Sequence, residues 1–283
     1  MEMRSMHRFI YFFSIYLLFP IGLCYSDTLD IYQDTVIEAS DNYEYTTFNV
    51  HSIPPNTTTL TMMSEQGYGI KVNTYESRIF DMRDGRVYGI EAYDTSRIRI
   101  ENTYTSIQSF ACYDSSEIEI FGGSYAYSIY FRQNSSGSVY GGSLTGLDLH
   151  NTSHVDVYGG RMAVFQTRDF TTFNLYDGII ENTIYTDDDS ILNIYGCTYQ
   201  GTLATRLIAS HNSTVNIYGY DFIYDPDGGS YGYGHLSGHF LDGRSINFDL
   251  WEDTYLHINL IPEPTALSLL ALGAMLAGRK RRM

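Results

Sequence analysis

The sequence predicts an all-β fold, a parallel β-helix with rungs of about 18–20 residues. Three observations carry this expectation. One short motif recurs as Ile118-Glu119-Ile120-Phe121-Gly122-Gly123, Val155-Asp156-Val157-Tyr158-Gly159-Gly160, Leu192-Asn193-Ile194-Tyr195-Gly196 and Val215-Asn216-Ile217-Tyr218-Gly219, with looser copies at 138–142 and 173–178. Its second apolar position falls at Ile100, Ile120, Val139, Val157, Leu175, Ile194 and Ile217, at intervals of 20, 19, 18, 18, 19 and 23 residues. The 283 residues include 27 Tyr and 25 Gly but only 6 Pro, a balance suited to strands and sharp corners. A propeller needs repeats of about 40 residues or more, and a sandwich is not built from one motif at one period.

The N-terminal element, 1–26, reads as a secretory signal helix. Arg4 and Arg8 precede the apolar run 9–23, and a polar chain opens at Asp27. The run is interrupted by Pro20 and is shorter than the roughly 20 residues a spanning helix needs, which favours cleavage over anchoring. Leu23 before Cys24 is not the small residue a lipoprotein signal requires.

The body, 27–260, is expected to hold core repeats at about 77–219 between terminal caps that cover the strand edges. Each repeat opens with apolar residues two apart, the signature of a strand with one face inward. Gly after the aromatic residue supplies the backbone angles of a corner. A second apolar patch recurs at Ile107, Ile129, Leu147, Val164, Ile184 and Leu207, implying at least two strands per turn. Asp94, Asp114, Asn151, Asp169 and Asp188 lie four residues before the next strand's first apolar position, followed two residues later by Ser96, Ser116, Ser153, Thr171 and Ser190. Asx residues tolerate left-handed angles and bond their own turn, so Asx-x-Ser/Thr marks a second corner.

Stacking at about 4.8 Å per rung would align Phe121, Tyr140, Tyr158, Tyr176, Tyr195 and Tyr218 into an aromatic ladder. The ladder would stabilise the solenoid and, in a second reading, offer flat faces to sugars. Functional residues are most expected where the period breaks. The breaks are the 23-residue step and the loop 225–234, whose Tyr231 and Tyr233 are candidates to stack on sugars while Asp225 and Asp227 accept hydrogen bonds.

The C-terminal element, 261–283, contains Pro262-Glu263-Pro264, the apolar stretch 265–278 read as a transmembrane helix, and the basic cluster Arg279, Lys280, Arg281 and Arg282. Fourteen residues give about 21 Å of helix, short for a permanent span. This order resembles the PEP-CTERM sorting signal of Gram-negative bacteria. The resemblance implies recognition by an exosortase at Pro262, Glu263 and Pro264, with Arg279 to Arg282 as the cytoplasmic stop-transfer cluster. It further implies an inner-membrane intermediate followed by delivery to the cell surface or matrix. It covers the tail and the export signal and says nothing about what the body does.

Charge and motif content narrow the chemistry. The whole chain carries 33 acidic and 17 basic residues, and without the two terminal signals the body retains 31 and 11. Such a field opposes nucleic acid as a partner. The runs Asp187-Asp188-Asp189 and 225–228 have carboxylates that suit calcium, but neither has the spacing of an EF-hand or a calcium β-roll, so solvated turns are expected. No Cys-x-x-Cys or P-loop occurs, and no metal site, cofactor or catalytic residue is assigned. Cys112 and Cys197 fall about five rungs apart, about 24 Å, too far for a disulfide. The reading is an exported matrix protein with a structural or glycan-binding role, extracellular polysaccharide being its partner. The alternative is a β-helix polysaccharide lyase or glycoside hydrolase working through paired carboxylates.

Overall fold

The computed structural model describes residues 28–37, 46–51, 58–64, 71–101, 106–199, 205–230 and 232–262. The signal segment 1–26, Glu263, Pro264, the stretch 265–278, the cluster Arg279 to Arg282, and Tyr231 lie outside the described residues. Within them the chain is an all-β parallel solenoid of about eight turns with rungs of about 19 residues. It contains one 3-10 turn, and no described helix is long and apolar enough to cross a membrane.

Each turn contributes to three walls. The first wall stacks Arg97–Ile100, Glu117–Ile120, Ser136–Val139, His154–Val157, Thr172–Leu175 and Ile191–Ile194, then 214–217, all parallel and in register. Ile118, Ile120, Val155, Val157, Phe173, Leu175, Leu192 and Ile194 are completely buried, as the two-residue alternation requires. Ser124–Phe131, Ser143–Leu149, Arg161–Thr167 and Ile179–Thr186 each bend midway, so that one continuous strand supplies both the short second wall and the third.

That bend corrects the expected second patch. Ile129, Leu147, Ile184 and Leu207 are buried on the third wall, but Phe165 rather than Val164 pairs between Leu147 and Ile184. Ile107 pairs with Tyr125 and Val87 on the second wall, and Phe110 occupies its expected place. Burial alternation breaks at the bend, where two residues separate the buried Met162 and Phe165, so Val164 falls on the bend and Ile107, aligned through Tyr125 and Leu144 with Met162, falls before it.

Two corners complete a turn. At the first, Gly159 is needed because a Cβ there would lie 2.7 Å from the Tyr140 carbonyl of the preceding turn. At the second, Asp94, Asp114, Asn151, Asp169 and Asp188 have φ between 56° and 62°, as predicted, and Glu76, Gln133 and His211 adopt the same angle in their own turns. From Asp94 to Asp188 the side chain of each corner accepts a hydrogen bond from the corner amide of the turn before. Asp114 serves the Asp94 amide at 3.1 Å, Gln133 that of Asp114 at 2.6 Å, Asn151 that of Gln133 at 3.0 Å and Asp169 that of Asn151 at 2.7 Å. The hydroxyl residues that follow, Ser96, Ser116, Ser153, Thr171 and Ser190, are fully buried inside the corner.

Side-chain ladders run along the stack. Asn174, Asn193, Asn216 and Asn259 each donate to the preceding turn at 2.7–3.0 Å, starting from Asp156. The predicted aromatic ladder from Phe121 to Tyr218 has ring centroids 4.2–5.1 Å apart and planes within 14°. A further one, Tyr32, His51, Tyr75, Tyr93 and Tyr113, follows the Asx corner through the earlier turns.

The regular stack extends beyond the repeated motif. Thr28–Ile31 pairs in parallel with Thr47–Val50, which pairs with Lys71–Thr74. At the other end Thr214–Asp225 leaves the first wall and folds back as an antiparallel sheet with His235–Phe240 and Ser245–Leu250, which stands on Thr205–Ala209. Leu236, Phe240, Ile246, Phe248 and Leu250 close the core there. The 3-10 turn Glu252–His257 then leads to Ile258–Pro262, which pairs with 215–219. Cys112 and Cys197 are buried free thiols whose pKa is pushed up to about 12 by burial.

Candidate functional site

The predicted loop is tightly organised. Oδ1 of Asp225 accepts the Asp227 amide at 3.1 Å, and the Gly234 amide donates to the Gly228 carbonyl at 3.2 Å. The carboxylate of Asp249, nearly buried, receives the Ser230 amide and His235 Nδ1, both at 3.0 Å. Asp225 therefore shapes the turn, and Asp227 stands exposed beside it. Tyr233 leads elsewhere. Its ring packs 4.7 Å from that of Trp251, the only Trp in the chain, and the Arg206 guanidinium lies 5.3 Å from the Trp251 ring.

Trp251 lines a groove of about 370 Å³ together with Tyr185, Ser210, His211, Glu252 and His257. Its construction follows from the register. Tyr185 and Ile208 occupy equivalent outward positions on successive turns, and the Trp251 amide continues the ladder to the Leu207 carbonyl at 3.1 Å. The 3-10 turn is fastened over the corner by three bonds. Thr254 Oγ1 accepts the Ala209 amide at 3.1 Å and donates to the Trp251 carbonyl, and His257 Nδ1 donates to the Ser213 carbonyl at 3.1 Å. Glu252 is held at a φ of 48°, a conformation costing on the order of 1–3 kcal/mol that only a well-determined surrounding maintains. The groove is thus formed before anything enters it.

Its polar side is a carboxylate–imidazole pair. Asp187 accepts bonds from His211 Nδ1, from Ser210 Oγ at 2.7 Å and from the Tyr185 hydroxyl at 3.2 Å. Burial acts to raise the Asp187 carboxyl, but the His211 and Ser210 bonds outweigh it and bring it down to about 2. The bond that His211 donates to Asp187 raises the imidazole in turn. Fixing Nδ1 in this way leaves Nε2 as the open nitrogen of a side chain that is 70% exposed. The pair presents a proton donor or acceptor beside an indole ring.

The remaining acidic run is committed to the corner. Asp188 Oδ2 accepts the Asp169 amide at 3.3 Å, and Asp189 Oδ1 accepts Asn212 Nδ2 at 3.2 Å. Asp187, Asp188 and His211 offer ligand atoms within 4.8 Å of one another, yet each carboxylate already serves N–H or O–H donors of the fold.

A second groove, of about 480 Å³, lies at the Gly corner between Gly142, Gly160, Gly178, Arg161, Thr198 and Arg244. Its glycines answer to stacking, since a Cβ on Gly160 would lie 3.0 Å from the Gly142 carbonyl. Arg161 is paired with Glu181 at 2.8 Å, and Arg244 with Asp242 at 2.6 Å and with Asp177. The adjacent aromatic ladder does not offer ring faces to a ligand, because each internal face is covered by the neighbouring ring and Arg99 lies over Phe121.

Sequence reasoning passed over His211 and Trp251. A signal for His211 existed, because His211-Asn212-Ser213 fills the slot of an Asx-x-Ser corner with an imidazole. Trp251 had none beyond being the lone Trp. Comparison with protein-family models, curated proteins and solved structures finds no match to this chain.

Proposed function

We propose that the chain is an exported, surface-delivered matrix protein whose solenoid is a scaffold and whose C-terminal groove binds extracellular polysaccharide. The observation that carries the binding reading is Trp251 on the rim of a preformed groove that also holds Asp187, His211 and Glu252. An aromatic face beside converging donors and acceptors suits the apolar face and hydroxyls of a sugar ring. The acidic surface favours a neutral glycan over a polyanion. Export and sorting rest on the signal segment 1–26, on Pro262, Glu263 and Pro264 as the exosortase motif, on 265–278 as a temporary membrane helix, and on Arg279 to Arg282.

The test of binding is retention of the protein in gels cast with the host's own exopolysaccharide. Trp251→Ala should abolish retention while leaving the unfolding curve intact. Retention equal to wild type would remove the groove from consideration. Sorting is tested by changing Pro262, Glu263 and Pro264 together to Ala, which should hold the protein in the inner membrane.

The enzyme alternative, a polysaccharide lyase or hydrolase, is favoured by one observation. Asp187 orients His211 as a carboxylate orients a general base, with Nε2 open to a substrate in the groove. Depolymerisation of the same polysaccharide, lost in His211→Asn, would establish it.

A further inference from the structure

The aromatic ladder has a chemistry separate from sugar binding. Its rings lie parallel at 4.2–5.1 Å, so neighbours cover their faces. Yet Tyr140, Tyr158 and Tyr176 remain 43%, 42% and 37% exposed. With the faces covered, the surface left to solvent is the ring edge, which carries the hydroxyl and the carbons ortho to it. Those carbons are where two phenoxyl radicals join.

We propose that this row is an oxidative cross-linking site, at which Tyr140, Tyr158 and Tyr176 of one copy form dityrosine bonds with the same row of a second copy. The oxidant is hydrogen peroxide acting through a peroxidase-class catalyst. Each phenol loses one electron and one proton, and the two radicals join ortho carbon to ortho carbon. Each ring then loses its ortho hydrogen to restore aromaticity while its hydroxyl is re-formed. Two tyrosines and one peroxide give one dityrosine and two waters.

Two features of the ladder direct the coupling outward. Stacked rings meet along the ring normal, whereas the biaryl bond lies in the plane of each ring, so adjacent turns are misaligned for bonding to each other. Close stacking also lets an electron hole pass from ring to ring, so a radical formed anywhere on the row is available at its most accessible edge. Isolated Tyr88, 55% exposed, belongs to no described ring stack and lacks this sharing. Because the body is strongly acidic, encounters between copies are opposed at low ionic strength and eased by salt.

The full chain is treated with peroxidase and hydrogen peroxide, and the products are followed by dityrosine fluorescence, denaturing gels and peptide mapping. Covalent dimers linked through Tyr140, Tyr158 or Tyr176 are expected, in higher yield as salt is raised. The variant carrying Tyr140→Phe, Tyr158→Phe and Tyr176→Phe keeps the stack, as Phe121 already does, and should lose dimers to background, whereas Tyr88→Phe should not. Dimer yield unchanged in the triple variant, or dityrosine confined to single chains, would overturn the proposal. A thermal unfolding curve matching wild type verifies that the triple variant is folded.

Discussion

Gly137 offers the most discriminating test of how the core is packed. It occupies the first-wall position held by Ile118 in the turn before and Val155 in the turn after, so averaging over the repeat recommends Val. The structure gives the opposite answer. A Cβ on Gly137 would lie 2.6 Å from two carbons of the buried Phe131 ring and 3.0 Å from Ile118 Cγ2. Phe131 stands where neighbouring turns have the smaller Cys112 and Leu149, and its ring fills the volume Gly137 leaves. Gly137→Val should therefore destabilise by about 1–3 kcal/mol, the usual cost of overpacking. Phe131→Leu alone leaves a void and should cost on the order of 1–2 kcal/mol. Together the changes exchange one volume for the other and remove Gly from a strand, itself worth roughly 0.5–1 kcal/mol. The double variant should stand close to wild type, so that the coupling energy equals the sum of the two single costs, about 2–5 kcal/mol. Urea unfolding of all four proteins, followed by far-UV circular dichroism, measures the cycle. Stabilisation by Gly137→Val, or strict additivity, would refute the packing argument.

Other outcomes follow from the same contacts. Asn151→Ala loses both the acceptor for the Gln133 amide and the tolerance for a φ of 62°, and should cost about 1–3 kcal/mol, while Asn151→Asp retains both but sets a carboxylate against Asp169, 3.5 Å from Asn151 Nδ2, and should cost less than the Ala change in the same urea assay. The Asp187–His211 contact gives a pH signature. The lowered Asp187 carboxyl contributes stability above its ordinary value near 4, lost as pH falls toward about 2, and the raised His211 contributes below about 6.5, lost as pH climbs past its raised value. The melting temperature of wild type minus that of His211→Asn should peak between these limits, and a difference flat with pH would count against the contact. Val157→Asp places an unpaired charge in a completely buried position and should cost several kcal/mol, measurable as loss of the cooperative thermal transition.

Much of the fold was legible because a solenoid repeats its local requirements. Asp94, Asp114, Asn151, Asp169 and Asp188 betray their corner because few other residues accept its angle, and the Ile118/Ile120 alternation marks a wall directly. Gln133 and His211 occupy the same corner without being Asx residues, and only the Ser two positions on marks them. The Val164 and Ile107 misplacements have a common origin in the bend between the second and third walls, where inward positions are three residues apart and not two. The groove was the least legible part. Its two sides, around His211 and Trp251, are brought together by the strands His235–Phe240 and Ser245–Leu250 inserted between Thr214–Asp225 and Ile258–Pro262, a departure from the period that the period itself does not encode.

The corner ladder also has a direction, and direction matters to a chain that emerges one end first. Every corner amide from Glu76 to Asp169 waits for a side chain belonging to the next turn along the sequence. Completing a turn therefore locks its predecessor, and the growing end always carries the same small debt of one unbonded corner, whatever the number of turns already laid down. At His211 the series stops, because the imidazole turns to Asp187 instead of reaching back to the Asp188 amide. The ladder is therefore polar, with one open end set by the chain direction, and the inserted antiparallel sheet stands where it stops.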